Sequence, residues 1–498
     1  MSIAREIATE VSKSSRWSKV TDLLAIILLV LFAWKLQNLS VARFDAGLLQ
    51  GDLAAIWQSI YNVAFNGSPN SSFNCSVHEY YSLLGRPNLF DPSPAVVDCH
   101  QLGVHFHALT YPIALLARLF PTPLLLLLLQ TLALTLAGLI LYILSNRWLH
   151  NRALALCILV SFLLNPFTHG LNLNEFHFDA FYPLLIFAAV YSFDAGKRFW
   201  FWATVATILC VKESGCLIVF GLGCLLLVQA LQLRRNYTSA AILLVLGPLS
   251  LYLITEKIMP MFSFTGAYMF GGIYGCKLGA SAGQILTTLM TQPALAAEVI
   301  LTKANGTYLA LLIGSTSLLA FARPQYLLVG GPLLFVNLIT SNPTMKLTVG
   351  QYSAAVFPAF YLAFAAALRT PPSLWRRSVT YGVLTCSIAL NVKLFISESA
   401  VLPPLPDPTP YRQEISALQQ IPSSAAVCTD APWISYVASR REVFLTPVNI
   451  SRCTLVVWDK APQWYVPAPI RQQVATYLAE HFEVHSEFSH LILYRRKS

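Results

Sequence analysis

Acid, base and cation come close together at a few points of an otherwise apolar chain. NLNEFHFD (172–179) sets Glu175, His177 and Asp179 within one short stretch, and VKES (211–214) sets Lys212 beside Glu213. A carboxylate so placed can take a proton from a hydroxyl, and a lysine can hold a phosphate as it leaves. Glu175 and Asp179 would share one face of a helical turn, with His177 on another side. The plain alternative there is a solvated loop with one capping acid. For Lys212 and Glu213 it is a mutual ion pair whose lysine stem reaches for the interface. Asp52, with Asp45 as its competitor, could serve as a base just beyond the first apolar run, or simply as a helix cap or solvated loop acid. Lys277 is a second phosphate candidate in an outer loop, where an exposed lysine is the commoner case. His105, His107 and His177 form a weak candidate metal set. No metal ligand is assigned, and a divalent metal is the one cofactor these residues leave open.

The elements that must position these groups follow from composition. The chain is 56% hydrophobic and 11% charged, with a mean hydropathy of +0.58, far from the balance of a soluble domain. Its net charge of +10 is spread over short clusters between apolar runs and forms no stripe for a nucleic-acid backbone, so no nucleic-acid partner is expected. A membrane span needs about 20 apolar residues, and about eleven runs qualify. They lie near 22–40, 121–145, 152–168, 180–195, 199–211, 215–233, 238–257, 304–321, 326–341, 352–369 and 379–397. Lys and Arg before the first run, then Arg147 and Arg152, Lys197 and Arg198, Arg234 and Arg235, Arg323, and Arg369 with Arg376 and Arg377, fall on alternate loops. The positive-inside rule therefore puts the N-terminus in the cytoplasm. This orientation requires residues 105–120 to lie along the membrane surface as a helix rather than to span it.

The sequence thus divides into a transmembrane region (1–400) that includes a first extracytoplasmic loop (41–120), a proline-rich linker (401–410) and a tail (411–498). Alternating strand and helix patterns in the tail predict a small extracytoplasmic α/β domain, and it carries no nucleotide-binding glycine loop. The ten cysteines show no zinc spacing. Cys75 with Cys99, and Cys428 with Cys453, fall in polar outer stretches where disulfides can form, although spacing does not give connectivity.

GDLAAIWQSIYNVAFNGSP (51–69), HFHALTYPIALLARLFPTP (105–123), NEFHFDAFYPL (174–184), VKES (211–214), IYGCKLG (273–279) and QYSAAVFPAF (351–360) together resemble a known family. It is the family of predicted membrane proteins catalogued as domain of unknown function 2079 and grouped with the C-type (GT-C) integral-membrane glycosyltransferases. The resemblance implies a polytopic α-helical, GT-C-like fold with surface helices in the first outer loop. It also implies one outer cavity built from Asp52, Glu175, His177, Asp179, Lys212, Glu213, His105, Lys277, Gln351 and Tyr352. Asp52 best matches the family's acidic residue. Gln351 stands where the pattern carries histidine, and Ser214 where it carries an acid.

The implied activity is transfer of a sugar from a polyprenyl-phosphate donor to an unidentified acceptor, at the outer face of a bacterial inner membrane and in contact with membrane lipid. The competing readings are a transporter or lipid flippase, and a non-catalytic relative that binds lipid or a partner. A transporter site is expected near the bilayer midplane, often between inverted repeats; the chain has no evident repeat and few charges within its apolar runs.

Overall fold

A computed structural model describes residues 2–49, 51–83, 90, 99–268, 276–279, 281–316, 318–369, 381–382, 384–393, 407, 409–463 and 465–497. The expected linker 401–410 lies largely outside the described residues, as do the first three residues of IYGCKLG and parts of the run 379–397.

Helix α1 (Ser2–Asp45) contains the first apolar run, and α2 (Gly51–Asn66) follows after a tight turn at Gly47. In the first loop, β1 (Asn70–Ser71) leads into α3 (Ser72–Leu83), and β2 (Cys99–His100) pairs antiparallel with β1. A disulfide joins Cys75 of α3 to Cys99 of β2. Two short helices come next, α4 (Gln101–Val104) and α5 (Thr110–Ala117). The surface helix expected over 105–120 is therefore confined to 110–117. Residues 105–109 leave the helix because Glu213 claims the Phe106 N–H and the His105 ring.

Beyond these lie α6 (Leu124–Leu149), α7 (Arg152–Leu163), α8 (Pro166–Leu173), α9 (Tyr182–Asp194), α10 (Arg198–Val211), α11 (Gly215–Leu233) and α12 (Tyr237–Leu253). Among the described residues four helices are long and apolar enough to cross a membrane: Ser18–Asp45, Leu124–Leu149, Gly215–Leu233 and Tyr237–Phe262. Two bent pairs, α7 with α8 and Pro293–Ile300 with Lys303–Thr316, raise this to six if each is one span. The α7–α8 bend of 45° has a local cause. Pro166 forces Asn165 out of helical geometry, and the Asn165 side chain then caps α8 by accepting the Phe167 N–H. The other expected spans are shorter or broken. Helices α9 and α10 have 13 and 14 residues, about 20 Å of helix at 1.5 Å per residue. The run 326–341 splits into a 3-10 turn (Pro324–Val329) and the helix Gly331–Ile339, and 352–369 yields only Phe357–Ala367.

Lipid-facing character is visible in what stays uncovered. Leu23, Ile26, Ile27 and Val30 on α1, and Ile242, Val245 and Leu249 on α12, are exposed large apolar side chains, an arrangement that water would penalise and hydrocarbon accepts. Inside, α11 and α12 pack closely enough that a methyl group on Gly247 would meet Phe220 and the Cys216 carbonyl at 2.8 Å; small residues at such crossings are how helices approach in lipid.

The C-terminal residues form a five-stranded sheet from β3 (Val427–Thr429), β4 (Val443–Leu445), β5 (Leu455–Asp459), β6 (Phe482–Glu487) and β7 (Leu491–Arg496), in the order β4-β3-β5-β7-β6. β3 pairs parallel with β4 and β5, while β7 runs antiparallel to β5 and β6. Helix Ala468–His481 packs on it, and Cys428 is bonded to Cys453. The exposed edge of β4 is closed by the first loop. Ser72 Oγ lies 2.9 Å from both the N–H and the carbonyl oxygen of Val443, and the Leu445 N–H donates to Ser76 Oγ. Trp57 Nε1 donates to Ser439 Oγ, Ser435 Oγ to the Leu49 carbonyl, and the Tyr436 hydroxyl to the Phe44 carbonyl. The tail and the first loop thus form one packed body.

Candidate functional site

Four separate stretches of chain meet beside the start of α11. Asp52 lies in the first turn of α2, where a carboxylate complements the helix N-terminus. The backbone N–H groups of Gly51 and Leu53 donate to Glu175 Oε1 and Oε2 at 3.1 and 2.8 Å. Glu175 therefore holds the end of α2 and positions its neighbour Asp52. Asp52 itself stays 65% exposed, with Oδ2 at 3.6 Å from His177 Nε2. The expected helical turn through 175–179 does not form, because Asn174 and His177 are extended before the 3-10 turn Phe178–Phe181. Glu175 and Asp179 consequently part company, one to α2 and the other inward.

Asp179 meets Lys212, with Oδ2 and Nζ 3.4 Å apart and both side chains buried. Glu213 accepts from the Phe106 N–H and lies 2.8 Å from His105 Nδ1. The mutual Lys212–Glu213 ion pair, the plain alternative, gives way to these two partners, since the extended backbone at Lys212 sends adjacent side chains to different sides. Burial opposes the Glu213 charge, but His105 and Lys212 outweigh it and hold the carboxyl at about 2. His177 is pushed below its usual range by burial, against the pull of Asp52 and Asp179.

His107 is a member the sequence indicated only weakly. Its Nδ1 faces Gln101 Nε2 at 3.1 Å, and Gln101 Oε1 is taken by Ser59 and Asn74. The Gln101 amide must therefore donate, so Nδ1 accepts and the ring proton sits on Nε2. That Nε2 is buried without a hydrogen-bond partner among the described residues. Burial, with His105 and Lys212 nearby, keeps the ring neutral by lowering its affinity for a second proton.

A cavity of about 230 Å3 opens against this cluster, lined by Asp179, Tyr182, Lys212 and Glu213 together with the apolar Leu217, Leu251, Leu333 and Val336. Gln351 and Tyr352 also line it. They are carried there because Gly170 lets the preceding strand of chain come close: a methyl group on Gly170 would sit 2.2 Å from the Thr348 carbonyl oxygen. Ser214 bonds the Tyr182 hydroxyl at 2.9 Å. Glu256, which the sequence reading passed over, reaches the same cavity from a π-helical turn (Ile254–Ile258) at the end of α12. The signal was present as a charged TEK step within an apolar run.

Two candidates stand apart. Asp45 closes α1 and has Arg412 and Tyr436 as its charged and polar neighbours. Lys277 is exposed and paired to Glu298 at 2.8 Å. Among the described residues no group of three His, Cys, Asp or Glu side chains is placed to hold a metal ion.

Apolar helices with lipid-facing surfaces, carrying a cavity against buried ionisable groups at one end, define an α-helical integral membrane protein. The chain belongs to the DUF2079 family of predicted membrane proteins, whose family model matches residues 35–476. No curated protein matches it.

Proposed function

We propose that the protein is a GT-C-like membrane glycosyltransferase, which moves a sugar from a polyprenyl-phosphate carrier to an acceptor hydroxyl at the extracytoplasmic face of a bacterial inner membrane. The observation that carries this reading is the meeting of Asp52, His177, Asp179, Lys212 and Glu213, the last three of which line a cavity together with apolar side chains. In the transfer, the exposed Asp52 carboxylate takes the acceptor proton. The acceptor oxygen bonds to the sugar's anomeric carbon as the bond to phosphate breaks, and the carrier phosphate departs with the electron pair. Lys212, held by Asp179, balances that phosphate charge. Glu175 keeps Asp52 in place, Gln351, Tyr352 and Glu256 bind the sugar, and Leu217, Leu251, Leu333 and Val336 receive the first units of the prenyl chain.

Packing of the tail on α2 and α3 supports the topology of eleven crossings. Residues 51–83 and 427–445 touch, so they share one side of the membrane and an even number of crossings separates them. Ten runs between 121 and 397 meet that condition, whereas the three long helices α6, α11 and α12 alone do not. Both disulfides then fall on the outer, oxidising side. The hydrogen bond of Ser214 to Tyr182, where an acid was expected, favours a second reading, a lipid-binding relative without transfer.

The test is Asp52→Asn in purified protein given radiolabelled polyprenyl-phosphate sugars and membrane lipid extract. Transfer by the parent and its loss in the variant, with folding intact, is the expected result. Equal transfer by both would remove Asp52 from the mechanism, and binding of carrier without transfer by the parent would favour the non-catalytic reading.

A further inference from the structure

At the other end of α11, about 28 Å from the Lys212 cluster for a 19-residue helix, lies a second and larger cavity of about 390 Å3. It is bounded by the ends of α6, α9, α10 and α11, by the turn Pro324–Val329 and by the helix Phe357–Ala367. Three guanidinium groups line it, from Arg235, Arg323 and Arg369, and these belong to loops far apart in sequence. The lining carboxylate, Asp194, is gripped by Arg147, whose Nε lies 2.7 Å from Oδ2 and whose Nη2 donates to the Asp194 carbonyl. The acid is thus balanced by a cation other than the three in the lining. Arg369 rests 5.2 Å over the Trp148 ring and near the Tyr326 side chain at the cavity wall. The floor is apolar, formed by Phe193, Phe201, Leu222, Leu225 and Leu226.

Arginine forks match phosphate oxygens two at a time, and here three of them come from separate loops to one concavity. A water-filled vestibule needs no apolar floor, and a groove for acyl chains alone needs no guanidinium cluster. We propose that this cavity binds a phosphate ester, seated on Arg235, Arg323 and Arg369, with an adjoining apolar part lying on the Phe193–Leu226 floor. Two sources carry that chemistry: the headgroup of an anionic phospholipid in the leaflet next to the basic loops, a placement known for basic pockets between membrane helices, or a soluble phosphorylated compound. The inference does not rest on sugar transfer, because no residue of the Asp52–Lys212 cluster takes part.

The full chain is purified and placed in phosphatidylcholine nanodiscs with a minor share of phosphatidylglycerol. Lipid released with the protein is counted by native mass spectrometry, and binding of radiolabelled inorganic phosphate is measured by equilibrium dialysis. Retention of phosphatidylglycerol over phosphatidylcholine, falling about tenfold or more in Arg323→Gln/Arg369→Gln, as loss of charge-assisted hydrogen bonds requires, supports the lipid source. Phosphate binding that falls equally in that variant, with no lipid preference, supports the soluble source. If the double variant does not fold, Arg235→Gln alone makes the comparison. A parent that holds neither ligand better than the arginine variants overturns the proposal.

Discussion

Replacing Lys212 by methionine would remove a charge from a pair enclosed on both sides, for Lys212 and Asp179 are only 5% and 7% exposed and 3.4 Å apart. Methionine keeps the length and apolar stem of lysine, so little cavity is created. What remains is the Asp179 carboxylate without its cation, and breaking a buried pair from one side costs about 3–5 kcal/mol. Asp179→Asn added to Lys212→Met removes that stranded charge, and since neutral replacements of a whole buried pair are often nearly without cost, most of the loss should return. Thermal unfolding of the four proteins in one lipid composition closes the cycle. The expected coupling lies in the upper part of the ~0.5–3 kcal/mol seen for contacting residues. Stability losses that simply add, within about 0.5 kcal/mol, would show that the two groups do not act as a unit and would refute the reasoning. Under the proposed function the double variant regains stability but not transfer, because nothing then balances the leaving phosphate. Its rate should stay roughly a hundredfold or more below the parent, by analogy with loss of one transition-state donor.

Asp430 tests the tail separately. Burial raises its carboxyl to about 7 despite the Asp459 N–H and Arg471, so the folded state favours the protonated form. That contribution is complete below about 4 and disappears as pH rises through about 7. Protection factors across β3 and β5, taken relative to the intrinsic exchange rate at each pH, should therefore be higher at about pH 5 than at about pH 8, and Asp430→Asn should flatten the difference; equal protection in the parent would count against a buried neutral acid. Gly170→Ala, normally worth about 1 kcal/mol to a helix, should instead lower the melting temperature, because its methyl would press on the Thr348 carbonyl; a rise would mean that the segment carrying Gln351 yields freely. Cysteines placed at Phe65 and Gln472 should both react with an impermeant maleimide from the same side of sealed vesicles, and reaction of only one would break the even count of crossings.

Much of the organisation was legible in the sequence. Long apolar runs produced α1, α6, α11 and the extension of α12, because twenty apolar residues without breakers form a helix whose outside suits lipid. The alternation of apolar and polar residues in the tail gave β3, β4, β5 and β7 near their observed positions, since strand and helix periods are local properties. Strand β6 and the helix Arg412–Gln419 went unmarked; both are mostly polar, and their stability comes from what they pack against. Local pattern also overstated several spans, where Gly330 and Pro358 fall inside runs that composition alone made continuous.

The sequence by itself determined the residue types available for the site and the apolar helices that carry them. Tertiary structure decided the partners. Glu175 and Asp179 are near neighbours along the chain, yet one holds the N-terminus of α2 and the other meets Lys212. His105 reaches Glu213 across more than a hundred residues, and Cys75 selects Cys99 rather than a cysteine of the tail. Spacing could not supply these choices, because a charge buried away from water takes whichever counter-charge the packed backbones bring within a few ångströms.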